Sequence, residues 1–239
     1  MAMNTSPLLE TLEIQGSVTL IPVVNAPSYQ LGQRTAEDGL DLARTCPGSP
    51  TGSTTEQIAA ALTEEIEGSD FFIDLHSGGK ILDIWPMAGY MLHPDPNVLE
   101  KQRQIAVAFN LPVVWGTDYR LDGRSLSVAR DAKVPAIYCE YGGVGRCMTA
   151  YVEGCLNVMA ALEMIDRPRP ASAIQWFVED PRPQSGHLQV NHPSPSAGIF
   201  ETHQEIGQLI EKGQPLGYVL DVVTGEPSEV LAEQSGLLL

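Results

Sequence analysis

Two polar residues each lie at the end of an apolar stretch, directly before a turn that contains two glycines. His76 follows the apolar-rich stretch 71–75 and precedes Ser-Gly-Gly, and Glu140 follows the apolar stretch 135–139 and precedes Tyr-Gly-Gly. Because ligands bind at the carboxyl ends of strands in open α/β sheets, we expect both side chains to face one cleft. A histidine can hold Zn²⁺, a glutamate can take a proton from bound water, and an arginine can stabilise an oxyanion. This chemistry is that of a metal-assisted hydrolase.

Each of these residues also has a purely structural interpretation. His76 could be a hydrogen-bonded loop histidine, and Glu140 could cap the next helix or pair with an arginine. Arg34 and Arg44 lie in a long stretch, residues 25–54, that is rich in Gly, Pro, Ser and Thr and lacks periodicity. Loops of this length are functional or disordered, and arginines on them are commonly solvated. The residues alone leave these alternatives open.

Alternating helical and strand patterns surround these residues. Helices are predicted at 54–67, 97–110, 125–132 and 147–165, and strands at 18–24, 71–75, 113–115 and 135–139. The run 18–24 consists almost entirely of apolar and β-branched residues, which predicts a strand buried on both faces. We therefore expect an α/β fold over residues 1–170, with a mostly parallel sheet covered by helices on both faces. Short strands and turns then predict a small all-β domain over 171–239.

The composition indicates which kinds of partner and which cellular compartment to expect. The formal net charge is -16, which excludes a phosphate backbone as the expected partner. No stretch has the pattern of a signal peptide or is apolar for long enough to span a bilayer, so no membrane partner is expected. The four cysteines form no C-x-x-C pair, as is usual for reduced thiols in a cytoplasmic protein.

Four segments together resemble the succinylglutamate desuccinylase/aspartoacylase family. They are residues 21–25 (IPVVN), 34–48, 74–79 (DLHSGG) and 135–143. The family consists of zinc-dependent amide hydrolases with a carboxypeptidase-like α/β fold. The most similar branch deacylates small N-acyl amino acids and includes N-acetyl-diaminobutyrate deacetylases. Residues 196–200 and 212–217 are similar to the family's barrel-sandwich C-terminal domain.

The resemblance implies a role for each candidate residue. His76 would be a zinc ligand and Glu140 the general acid/base. Arg44 would hold the carboxylate of an N-acyl amino acid substrate, with Arg34 assisting on the same loop, because a planar guanidinium binds carboxylates in bidentate fashion. Arg124 would polarise the scissile carbonyl.

This chain departs from the family in two places. Family members usually have Asn-Arg where this chain has Ala43-Arg44, which removes one expected substrate hydrogen bond. The family's other two zinc ligands come from an H-x-x-E motif, and none of the five histidines here precedes a glutamate by three positions. A catalytic zinc site needs three protein ligands, so we expect weak zinc binding or none.

Three hypotheses follow. The first is a deacylase that lacks an N-terminal segment, since both ends of the sequence resemble interrupted elements. The second is a non-catalytic relative that binds an amino-acid-like ligand. In either case the sheet that a missing first strand exposes would be covered by a second copy, in a homo-oligomer, or by another partner. A lipoyl or biotin carrier, with Lys212 as the modified residue, is the weakest, because the Lys-Gly-Gln-Pro turn lacks flanking methionines.

Overall fold

A five-stranded mixed sheet forms the centre of the larger part of the molecule. The computed structural model describes residues 9–79, 82–143, 147–186 and 193–239. The strands are β1 (Phe72–Leu75), β2 (Met87–Met91), β3 (Val113–Thr117), β4 (Ala136–Glu140) and β5 (Trp176–Glu179). Their order is β1-β4-β2-β3-β5. Only the β4–β2 pair is antiparallel among these strands, so the expectation of a mostly parallel sheet is confirmed.

The helices begin where the sequence offers caps. They are α1 (Ala26–Leu31), α2 (Thr54–Glu67), α3 (Pro96–Phe109), α4 (Ser125–Asp131) and α5 (Met148–Ala161). A 3₁₀ turn, Leu42–Arg44, lies between α1 and α2. At the start of α2 the Ser53 amide donates to the Glu56 carboxylate at 2.8 Å, and Asp95 accepts from the Asn97 amide at the start of α3. These contacts satisfy amides that have no partner within the helix.

Helices cover both faces of the sheet, as expected. On one face, α3 and α5 pack over a core that includes Ala88, Tyr90, Val114, Ile137 and Cys139. On the other face, α2 and α4 pack against the sheet around Met91 and Ala136. Successive strand residues point to opposite faces. Tyr138, two residues after Ala136, therefore points to this second face as well.

The apolar run at 18–24 is not a strand, and that prediction is wrong. The side chains of Val18, Leu20, Ile21, Val23 and Val24 are between 36% and 42% exposed, and no strand covers this stretch. An apolar run becomes a buried strand only where a neighbouring strand and covering helices are supplied, and the described residues supply neither.

β1 is also less buried than its sequence suggests. It lies at the edge of the sheet, Phe72, Ile73 and Asp74 are half-buried, and Leu75 is exposed. An edge strand has a neighbour on one side only, so its side chains are less enclosed than those of β4 or β2. The apolar residues of the stretch 71–75 suggest a short buried strand, whereas the strand found there is only partly buried.

The C-terminal part consists of short antiparallel strands, as expected. They are β6 (Ile199–Thr202), β7 (Leu209–Ile210), β8 (Pro215–Leu220), β9 (Pro227–Leu231) and β10 (Gly236–Leu237). β6, β8 and β9 form one sheet, and β7 and β10 form another. The domain division after residue 170 stays a prediction; one strand beyond it, β5, pairs with β3 in the large sheet. No helix among the described residues is long and apolar enough to cross a membrane.

Candidate active site

Four polar side chains form a two-by-two arrangement at the carboxyl ends of β1 and β4. These strands are parallel, with Asp74 opposite Tyr138 and Leu75 opposite Cys139. The His76 amide then donates to the Cys139 carbonyl at 2.8 Å, which places His76 beside Glu140. Because side chains two residues apart share a face, Asp74, His76, Tyr138 and Glu140 all lie on the face that α4 covers. The expected proximity of His76 and Glu140 is thus present in the fold.

Asp74 fixes the orientation of the His76 ring. Its Oδ1 lies 3.1 Å from Nε2 of His76, and its Oδ2 accepts from the Ser125 hydroxyl at 2.5 Å. Burial would raise the pKa of Asp74, but His76 and Ser125 outweigh it and the pKa is lowered. The Asp74 carboxylate raises the pKa of His76 to about 9. The Tyr151 hydroxyl holds the His76 carbonyl from the opposite face, at 2.5 Å.

Glu140 sits in surroundings that favour its protonated form. Burial raises its pKa, and the charge of Asp74 adds to this effect, while His76 and Arg34 oppose it. In the described part of the chain, Oε2 of Glu140 is buried without a hydrogen-bond partner. A carboxyl group with a raised pKa and a free oxygen is suited to accept a proton and pass it on.

Arg124 and Arg44 bring two positive charges to the same side of the sheet. Arg124 immediately precedes α4, and its Nε is buried with no partner among the described residues. Burial lowers the pKa of Arg124, and the neighbouring charge of Arg44 lowers it further. The two loops touch at Gly123, where a Cβ would lie 2.9 Å from the Arg44 carbonyl oxygen. Two neighbouring guanidinium groups favour an anionic ligand.

Arg34 is ion-paired with a residue of its own loop and lies close to the same site. Its guanidinium donates to Asp41 Oδ2 through Nε and Nη2, at 3.0 and 2.9 Å. Its charge nevertheless lowers the pKa of Glu140 and of His76. Arg34 is 64% exposed, so it lies at the rim of the site. All five candidate residues therefore lie in or beside this region of the sheet, and their individual roles remain predictions.

The described residues do not fit a complete zinc site. Within the ranges that the structure describes, no three His, Cys, Asp or Glu side chains are grouped so as to hold a metal. His93 uses Nδ1 to accept from the Asp95 amide and places Nε2 3.1 Å from the Arg130 carbonyl. His203 packs against Tyr218 in the C-terminal sheet. His187 and His192 lie outside the described residues.

Four residues that shape the site were not among the predicted ones. Asp74 and Tyr138 each precede a predicted residue by two positions in a strand, so the alternation of side chains could have found them. Ser125 and Tyr151 are 51 and 75 residues from their partners in sequence. No local pattern indicates such contacts; only the fold brings them together.

Comparison with known proteins assigns this chain to a family. Residues 7–163 match the model of the succinylglutamate desuccinylase/aspartoacylase catalytic domain. The chain is 30% identical over 244 residues to the N-alpha-acetyl-L-2,4-diaminobutyric acid deacetylase of Halomonas elongata, a match that covers 98% of this chain and 70% of that protein.

Solved structures give the same assignment of fold. A succinylglutamate desuccinylase/aspartoacylase from Rhodobacter sphaeroides superposes with a TM-score of 0.82 at 24% identity, over 97% of this chain and 73% of that one. The product-bound ectoine utilization protein EutE (DoeB) from Ruegeria pomeroyi superposes with a TM-score of 0.83 at 25% identity, over 94% and 70%. The resemblance read from the sequence is confirmed, and the chain belongs to the succinylglutamate desuccinylase/aspartoacylase family.

Proposed function

We propose that this protein removes the acyl group from a small N-acyl amino acid, with Glu140 as the proton-transfer group and Arg44 as the carboxylate-binding residue. The observation that carries the proposal is the placement of a carboxyl group with a raised pKa on the same side of the sheet as two neighbouring guanidinium groups. The deacetylase relative from Halomonas elongata, named for N-alpha-acetyl-L-2,4-diaminobutyric acid, supports this substrate class.

The carboxylate and the amide of such a substrate have complementary partners here. Arg44, on the exposed 3₁₀ turn, takes the carboxylate, and Arg34 adds positive charge at the rim of the site. Arg124, with its buried Nε free, donates to the oxygen of the scissile carbonyl. A donor aimed at this oxygen stabilises the negative charge that develops there during acyl transfer.

Glu140 moves the protons of the reaction. It takes a proton from water as the water oxygen bonds to the carbonyl carbon, giving a tetrahedral intermediate. The same carboxyl then gives that proton to the amide nitrogen as the C–N bond breaks, which releases a free carboxylic acid and an amine. Because its pKa is raised, the pH at which the protonated and ionised forms of the carboxyl coexist lies closer to neutrality. A group that both accepts and donates a proton requires this.

Zinc is expected from the family resemblance, and His76 would be one of its ligands. Zinc would polarise the carbonyl and lower the pKa of the attacking water. Because the described residues do not complete a three-ligand site, the steps above use only groups of this chain.

Acetate release from N-acetyl-L-2,4-diaminobutyrate tests the proposal, measured with zinc in the buffer. Wild-type protein should release acetate, Glu140→Gln should bind the substrate without releasing acetate, and Arg44→Ala should bind it weakly. If Glu140→Gln released acetate at the wild-type rate, Glu140 would not be the proton-transfer group.

A second candidate function is ligand binding without hydrolysis. It is favoured by the lack of a three-ligand metal group among residues 9–79, 82–143, 147–186 and 193–239. In that case calorimetry would detect binding of the N-acyl amino acid that a chelator leaves unchanged, and wild-type protein would release no acetate. Acetate release by the wild-type protein would eliminate this candidate.

A further inference from the structure

Tyr138 lies in the middle of the site, although the proposed reaction assigns it no role. It is opposite Asp74 on one side and opposite Gly89 of β2 on the other. It precedes Glu140 by two positions and so shares its face of the sheet. The ring is partly buried against the cluster formed by α2 and α4.

Gly89 lets the Tyr138 ring lie flat across the neighbouring strand. A Cβ at position 89 would be 2.2 Å from Cζ and 2.5 Å from the hydroxyl oxygen of Tyr138. Both distances are far below van der Waals contact, so any side chain at 89 would displace the ring. This close approach fixes the phenol hydroxyl over β2 instead of leaving it to rotate into solvent.

Two charged groups of the proposed site lie close enough to Tyr138 to affect its pKa. The charge of Glu140 raises the pKa of Tyr138 and that of Arg124 lowers it, alongside the dominant effect of burial. A phenol hydroxyl has one proton to donate, and a ligand oxygen beside Arg124 would accept it.

We propose that Tyr138 determines specificity for acylated over free amino acids, by donating a hydrogen bond to the acyl oxygen that Arg124 also contacts. This inference rests on the proposed function and extends it. A site that hydrogen-bonds one substrate oxygen rejects ligands without that oxygen, because the buried donor is then left without an acceptor. Tyr138 thus discriminates the N-acyl amino acid from the free amino acid.

Tyr138→Phe tests the assignment because it removes one oxygen and keeps the ring over Gly89. Calorimetry would compare N-acetyl-L-2,4-diaminobutyrate with L-2,4-diaminobutyrate for each variant. We expect the affinity for the acetylated compound to fall about ten-fold, the scale of one hydrogen bond, and the affinity for the free amino acid to stay unchanged. Gly89→Ala, which displaces the ring, should weaken the same ligand selectively.

The control is Tyr218→Phe, whose hydroxyl bonds to Glu201 in the C-terminal sheet and which should bind both compounds as the wild type does. Equal losses for both compounds in Tyr138→Phe would indicate a structural role and overturn the assignment, as would no loss at all. If wild-type protein binds neither compound, the proposed function fails as well. If wild-type protein binds the acetylated compound and Tyr138→Phe binds it with the same affinity, only the specificity assignment fails.

Discussion

Nε2 of His76 lies 3.1 Å from Oδ1 of Asp74, so this ring nitrogen is already engaged by a carboxylate. The second oxygen of Asp74 accepts from Ser125, and the His76 carbonyl accepts from Tyr151. Asp74 therefore holds the imidazole, Ser125 holds Asp74, and Tyr151 holds the backbone of His76. A metal ion at Nε2 would have to compete with Asp74 for this nitrogen.

Zinc binding should be weak and should depend on His76. One imidazole supplies only part of the roughly 10–16 kcal/mol that complete structural zinc sites provide. Zinc titration followed by competition with a chromophoric chelator should give a binding free energy well below that range, and His76→Asn should abolish it. His203→Asn, in the C-terminal sheet, is the matched control. Tight zinc at one ion per chain would show that ligands outside the described residues complete the site.

Glu140→Gln should stabilise the protein at neutral and alkaline pH. Burial raises the folded-state pKa of Glu140, so its protonated form contributes stability that is present below the unfolded pKa of about 4.3. That stability is lost as the pH rises through the raised folded value. Thermal unfolding should show Glu140→Gln melting roughly 2–4 °C higher than wild type at pH 8, with little difference at pH 4. Glu65→Gln on the surface of α2 should show neither effect.

Asp38 should anchor the arginine-bearing loop to α2 in a pH-dependent way. It accepts from the Thr55 amide at 2.7 Å and from the Thr55 hydroxyl at 2.8 Å, and the amide bond is the main cause of a pKa lowered to about 2. This contribution is present above the unfolded pKa of about 3.9 and is lost as the pH falls through about 2.

Urea denaturation should therefore find Asp38→Asn less stable than wild type at pH 6, with the gap closing as the pH falls from about 4 to about 2. Glu37→Gln, at the adjacent exposed position, should match wild type throughout. A gap that stays constant across this range would show that the charge of Asp38 is not what anchors the loop.

Glu179 should tie the edge strand β5 to the rest of the sheet. Its carboxylate accepts from the Tyr90 hydroxyl at 2.7 Å and from two nitrogens of Arg103 at 2.8 and 2.9 Å. Glu179→Ala should lower the free energy of unfolding in urea by roughly 1–2 kcal/mol, since these are charge-assisted but half-exposed bonds. Glu100→Ala removes the looser 3.7 Å pair with Arg103 and an exposed 3.4 Å bond from Gln104, and should cost less than about 0.5 kcal/mol. Equal costs would contradict this account of β5.

The sequence predicted best what local chemistry determines. The helix at 54–67 is found with the predicted bounds, and the strands before His76 and up to Glu140 are present. The antiparallel insertion of β2 between β4 and β3 was not predictable, because strand order depends on long-range pairing. The run at 18–24 failed for the same reason: its composition describes a buried environment that the described residues do not provide.

In the proposed reaction Arg44 binds the carboxylate of a small N-acyl amino acid. Calorimetric titration of N-acetyl-L-2,4-diaminobutyrate into wild-type protein, Arg44→Ala and the surface control Arg169→Ala tests this role. We predict saturable binding to wild type and to Arg169→Ala, and an affinity roughly ten- to one-hundred-fold lower for Arg44→Ala, the scale of a hydrogen bond to a charged group. No binding to the wild-type protein, or equal affinity in Arg44→Ala, would contradict the account.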